Sequence, residues 1–201
     1  MRKKLQFMAM LVAAFYAINS TEAAAQKKSS PVFQHVHAIA MDAAGQTLFL
    51  GAHTGLFRSE DGGRSWNKVS VSTKHSHLDM MDIASDPREP DTIYIATHEI
   101  GVLKSTDGGK SWKEASNGIG GPDVHGLAID PNEPSKLHAA VRGKGDGVYR
   151  TTDGGVKWTR VDDGPDGEVK VLKSVNLPSG MGGIFLYAGT SMGLQRSPDC
   201  F

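Results

Sequence analysis

Cysteine is almost missing from this chain of 201 residues. The single Cys200 leaves no intrachain disulfide, even in an oxidising compartment. An excess of charge is missing as well: 22 Lys+Arg balance 22 Asp+Glu, and nothing in that balance attracts nucleic acid. No segment beyond the N-terminus carries a sustained helical period, which leaves an all-β reading. No Ser-His-Asp elbow and no phosphate-binding glycine loop stands out. Gly143-Lys144-Gly145-Asp146-Gly147 reads as a loop between strands.

What the chain does have is glycine, 24 residues of it, and a repeat built around it. Ser59-Glu60-Asp61-Gly62-Gly63-Arg64-Ser65-Trp66 returns as Ser105-Thr106-Asp107-Gly108-Gly109-Lys110-Ser111-Trp112 and as Thr151-Thr152-Asp153-Gly154-Gly155-Val156-Lys157-Trp158. The aspartates at 61, 107 and 153 step by 46 residues, and one further step lands on Asp199, where Cys200 and Phe201 replace the glycine pair. A period of this length with short strands marks a repeat architecture whose units bury one another. In each unit the aspartate can accept hydrogen bonds from the turn amides after it. The glycines supply the positive φ of a tight hairpin, and the Trp packs under that hairpin.

Met1–Ala25 has the form of an export signal: Arg2, Lys3 and Lys4, an apolar stretch from Leu5 to Ile18, then Ala23-Ala24-Ala25 before Gln26. It is short for a bilayer span, and no Cys follows that would take a lipid. The mature chain is expected in a periplasm or outside the cell, without a membrane anchor. Cleavage would leave 19 Lys+Arg and 21 Asp+Glu, a net charge of −2. Residues 26–34 read as a leader, with Val32 to Gln34 a candidate edge strand, and 35–201 as the repeat domain.

Each repeat reads as four strands. First strands are expected at Val36 to Met41, Asp79 to Ser85, Asp123 to Ile129 and Glu168 to Val175. Second strands are expected at Leu48 to Ala52, Ile93 to Thr97, Leu137 to Val141 and Phe185 to Gly189, all rich in residues that suit a pleated buried surface. Third strands begin at Gly55, Gly101, Gly147 and Gly193. Fourth strands start at Trp66, Trp112 and Trp158, and the last repeat lacks one. Such units form a β-propeller of four-stranded antiparallel blades, with four visible repeats, the last incomplete.

Ser/Thr-x-Asp-x-Gly-x-x-Trp resembles the Asp box, or bacterial neuraminidase repeat, of sialidases, xyloglucan-degrading hydrolases, sortilin-type receptors and the photosystem II assembly factor. Ser59, Asp61, Gly63 and Trp66 fill its defining positions, as do Ser105, Asp107, Gly109, Trp112 and Thr151, Asp153, Gly155, Trp158. The resemblance implies an Asp-box propeller over Val36 to Phe201. It does not choose between hydrolases and proteins that only bind. Truncation of a longer propeller is the favoured reading of the short last blade, because an open ring exposes strand edges; a four-bladed ring that borrows Val32 to Gln34 is the other.

In such a blade the Asp box lies at one end, and the start of the first strand and the loop between strands two and three lie at the other. Seven of eight histidines fall at this second end. Alignment on Asp42, Asp86 and Asp130 puts His35, Asp79 and Asp123 in one row and His37, Met81 and His125 in the next, around the mouth of the central channel. His35, His37 and His125, with His53 and His98 from the loops, are candidate ligands for copper or zinc. A polar mouth of hydrogen-bonded histidines is the plainer reading. Glycoside hydrolysis would need two carboxylates at one sugar bond, and the acidic candidates here are Asp79, Asp82, Glu99 and Asp123. The arginine that a sialidase carries near its N-terminus has no counterpart in Ser29-Ser30-Pro31-Val32-Phe33. The expected function is therefore binding or assembly, with a protein or glycan ligand at the histidine-bearing end; a sialidase- or xyloglucanase-type hydrolase is the alternative.

Overall fold

The computed structural model describes residues 33–72, 75, 77–176 and 184–197, all within the compact unit Val32–Phe201. The expected export signal and the fourth box at Asp199 lie outside the described residues. The first sheet comprises β1 (Val36–Met41), β2 (Leu48–Ala52), β3 (Gly55–Ser59) and β4 (Asn67–Lys68). The second contains β5 (Met80–Ser85), β6 (Ile93–Thr97), β7 (Gly101–Ser105) and β8 (Lys113–Glu114), and the third β9 (Val124–Ile129), β10 (Leu137–Val141), β11 (Gly147–Thr151) and β12 (Thr159–Arg160). The fourth has three strands, β13 (Val169–Asn176), β14 (Ile184–Thr190) and β15 (Gly193–Arg196). Within each sheet the strands pair antiparallel in chain order, so the chain is an all-β propeller of four blades.

Consecutive blades bury one another's faces. Phe49 and Leu56 of the first pack with Ile83, Ile95 and Leu103 of the second. Tyr94 and Val102 of the second pack with Leu127, Ala139 and Tyr149 of the third, and Ala140 and Val148 of the third pack with Leu172 and Ala188 of the fourth. Inner strands touch in succession, β1 to β5 to β9 to β13. Lys173 of β13 also reaches Asp82 of β5 at 3.5 Å, across the intervening β9, as expected if the inner strands surround one axis. Asp82 is buried there, which pushes its carboxyl upward against the pull of Lys173, and it accepts the Leu127 amide of the next blade at 2.9 Å.

The fourth strands are shorter than the sequence suggests, two residues each, and begin one residue after the Trp. The indole is the reason: it serves the turn rather than the ladder. Trp66 and Trp112 donate Nε1–H to the carbonyls of Gly63 and Gly109, each at 3.1 Å, whereas Trp158 crosses to the Ala115 carbonyl of the preceding blade at 2.7 Å. The aspartates behave as the repeat implies. Asp61 Oδ1 accepts the Ser65 amide at 2.9 Å and the Ser59 hydroxyl at 2.8 Å, and Ser59 Oγ in turn accepts the Gly63 amide at 2.9 Å. Gly109, at φ 82°, could carry no Cβ, which would lie 2.9 Å from the Phe49 ring.

Phe33 and Gln34 lie in no strand, and Val32 is outside the described residues. Phe33 instead packs edge-on against Phe57 and Trp66, with ring centroids 5.0 and 5.8 Å away. Among the described residues no helix is long and apolar enough to cross a membrane.

Candidate functional site

Antiparallel chain order puts the β2–β3, β6–β7, β10–β11 and β14–β15 loops at the same end as the starts of β1, β5, β9 and β13, and the Asp boxes at the opposite end. One backbone device recurs here. The first residue of each loop gives its amide to the carbonyl of the residue just before its blade's inner strand: His53 to His35 at 3.3 Å, His98 to Asp79 at 3.2 Å, Arg142 to Asp123 at 2.9 Å and Ser191 to Glu168 at 2.9 Å. That bond fixes where the side chain of each loop residue emerges.

The side chains then reach across to the next blade. His53 Nε2 lies 3.3 Å from Asp79 Oδ2, His98 Nδ1 lies 2.6 Å from Asp123 Oδ1, and the Arg142 guanidinium pairs with the Glu168 carboxylate. Each of the three steps from the first blade to the fourth therefore joins a nitrogenous group on one blade to a carboxylate on the following one. His37 joins the first step, with Nε2 3.9 Å from Asp79 Oδ1. His125 joins the second, with Nε2 2.8 Å from Asp123 Oδ1.

Two clusters result, His37–His53–Asp79 and His98–Asp123–His125. The sequence reading gathers His35, His37 and His125 at one metal; the structure divides them. Each loop reaches only the adjacent inner strand, so His125 faces His98, with ring centroids 4.6 Å apart, while His37 stacks on His53 at 4.6 Å. His35 also lies against His53, with ring centroids 4.7 Å apart. It is the one non-glycine residue with positive φ among those described, at 48°, a conformation stored more often at functional positions than elsewhere.

Burial, reinforced by His53, holds the His37 imidazole below its ordinary value against the pull of Asp79. Burial also lowers His125, with Asp123 opposing and Arg142 and His98 reinforcing. Arg142 Nη1 lies 3.0 Å from His125 Nδ1. Of the acidic candidates, Glu99 accepts the Asp79 amide at 3.0 Å; Asp79 and Asp123 face imidazoles, and Asp82 lies in the blade interior. Arg142 and Glu168 were missed in the sequence, although Glu168 holds the same place before its inner strand as Asp79 and Asp123. The fourth repeat lacks the aspartate, Asp42, Asp86 or Asp130 in the others, on which the rows align.

Comparison with known proteins agrees with this architecture. The sequence profile of the Sortilin-Vps10 family, described as sortilin, neurotensin receptor 3, matches residues 54–170. No curated protein sequence matches the chain. An ancestral GH74 enzyme superposes with a TM-score of 0.64 at 17% identity, covering 83% of this chain and 23% of the enzyme. YCF48 bound to a D1 peptide gives 0.58 at 20% identity, over 81% of this chain and 50% of that one. The extracellular domain of a hybrid two-component system from B. thetaiotaomicron gives 0.62 at 16%, over 86% and 22%. The chain thus spans between 22% and 50% of the length of these structures. At such identities they share the propeller fold with it.

Proposed function

Because the chain belongs to the Sortilin-Vps10 family, a family of Asp-box propellers, we propose that it is an exported propeller that binds a polypeptide segment across its histidine-bearing end. The observation that carries this reading is the series of blade-to-blade pairs His53–Asp79, His98–Asp123 and Arg142–Glu168. They set donors and acceptors side by side over the three seams between four consecutive blades, the spacing over which an extended chain can exchange hydrogen bonds with several of them. His53, His98, Arg142 and Glu168 remain partly exposed and reachable from solvent.

Two further points favour binding over hydrolysis. Asp79 and Asp123 are each engaged by imidazoles from two directions, whereas a glycosidase pair has to face one bond of a sugar. The YCF48 propeller, similar in fold, is seen with a peptide bound. Export is supported by the basic and then apolar sequence of Met1–Ala25 and by likeness to an extracellular domain.

Peptides selected from a displayed random library against the purified chain test the proposal. Those recovered are expected to bind at least ten times more weakly to Arg142→Ala and to His98→Ala, and equally well to Lys110→Ala at the Asp-box end. Failure to recover any peptide contradicts the reading. So does turnover of xyloglucan or a sialoside that Asp79→Asn or Asp123→Asn abolishes, which would make the chain a hydrolase.

A further inference from the structure

We propose that His37, His53 and Asp79 hold a divalent late first-row metal ion at the seam between the first and second blades, and that the neighbouring cluster His98–Asp123–His125 does not. The two clusters have the same residue types, but the second imidazole comes from the blade of the loop histidine in one (His37) and from the blade of the aspartate in the other (His125); spacing and charge separate them further. With bonds of about 2.0–2.1 Å at tetrahedral angles, the ligand atoms of a zinc site stand about 3.3 Å from one another. Asp79 Oδ2 and His53 Nε2 are 3.3 Å apart, and Asp79 Oδ1 and His37 Nε2 are 3.9 Å apart. In the second cluster the corresponding distances are 2.6 and 2.8 Å. Those contacts are shorter than the separation of two ligands on one tetrahedral zinc, which leaves less room for an ion.

Charge points the same way. The second cluster contains a fixed cation: Arg142 lies 3.0 Å from His125 and is paired with Glu168. A divalent ion at Asp123 would meet that guanidinium at close range. Among the described residues no lysine or arginine forms an ion pair with Asp79, while the Glu99 carboxylate sits on its backbone amide at 3.0 Å. Asp79 is only 9% exposed, and its Oδ1, like that of Asp123, is buried and accepts no hydrogen bond; the absence of a neighbouring guanidinium among the described residues is what singles out Asp79. A buried carboxylate oxygen without a partner is costly, and a cation removes that cost.

The histidines suit the task. The His53 ring lies against both His35 and His37, with centroids 4.7 and 4.6 Å away, so the donor set is partly organised before an ion arrives. Two imidazoles and one carboxylate match zinc, which has no geometric preference of its own, and leave one coordination position open. The site lies within the end assigned to ligand binding but does not depend on a polypeptide being the ligand.

The test is calorimetric titration of zinc into the full chain, without a histidine tag and stripped with a chelator. One zinc per chain is expected, with affinity at least tenfold weaker in His53→Ala and in Asp79→Asn and unchanged in His98→Ala. Thermal unfolding of the metal-free proteins checks that each variant folds. Zinc should raise the midpoint of the parent and leave that of Asp79→Asn where it was. Should His53→Ala fail to fold, His37→Gln and Asp79→Asn carry the same comparison. The proposal is overturned if the parent takes up no stoichiometric zinc, if these substitutions leave uptake intact, or if His98→Ala weakens it as much as His53→Ala. None of these results bears on whether selected peptides bind.

Discussion

A box aspartate is a short side chain whose donors are fixed around its charged form by the turn, where a free carboxylate has only mobile water. The Ser65 hydroxyl at 2.6 Å, the Ser65 amide at 2.9 Å and the Ser59 hydroxyl at 2.8 Å converge on Asp61, and together they hold its carboxyl down to about 2. Asp107 is lowered by the equivalent set led by Ser111, and Asp153 by one led by Thr151. An acid whose folded value lies below its ordinary value of about 3.9 stabilises the fold above that pH and loses its contribution as pH falls through the folded value. Asp61→Asn should therefore lower the urea midpoint at pH 7, and its difference from the parent should shrink between about pH 4 and pH 2. Urea titrations of both proteins at pH 7, 4, 3 and 2 measure this. A difference that stays constant to pH 2 would mean that the charge on Asp61 contributes nothing. The box motif was legible because it repeats whole; the serine hydroxyls were not singled out as its strongest partners, since Lys157 stands where the other boxes have Ser65 and Ser111.

At the scale of the element, the second and third strands were the easiest to read. Leu48–Ala52, Ile93–Thr97 and Leu137–Val141 are apolar runs closed by turn residues, and each third strand opens on glycine. Inner strands carry a further regularity. Ile39, Ile83, Leu127 and Leu172 occupy one register, opposite Leu50, Ile95, Ala139 and Ala188, and in every blade after the first they face the preceding one. Leu127 is 1% exposed and Ile39 63%, because Phe33 and Trp66 cover Leu50 and Phe57 on that face of the first blade and leave Ile39 open. Leu127→Ala should cost about 2–5 kcal/mol through the cavity it leaves, and Ile39→Ser less than about 0.5 kcal/mol. Equal losses in denaturant unfolding would show that another segment buries Ile39. The fourth strands were read to within one residue of their start, but the place of Phe33 escaped the sequence reading, for there side-chain packing rather than pattern decides: Phe33 follows Phe57 and Trp66.

For the whole molecule, the repeat explains why a site can be assembled from residues far apart in the chain. Each blade offers the same two positions, one before its inner strand and one opening the next loop, and blade packing brings the second of one blade onto the first of the next. The histidines at these positions were visible in the sequence, because alignment of the repeats places them. Their division into two clusters was not, because it depends on how far each loop reaches. Nor was the substitution of Arg142 and Glu168 for a third histidine–aspartate pair, since a repeat position can be kept while its chemistry changes. The chain also carries its own reporters for the two ends: imidazoles at one, and the indoles of Trp66, Trp112 and Trp158 at the other. The most direct measurement is therefore a nitrogen-resolved NMR titration of the purified chain with a selected peptide. Shifts in the rings of His37, His53, His98 and His125, with the three indole signals unmoved, are the expected result. Indole shifts with those imidazoles unmoved would place the ligand at the Asp-box end and contradict the account.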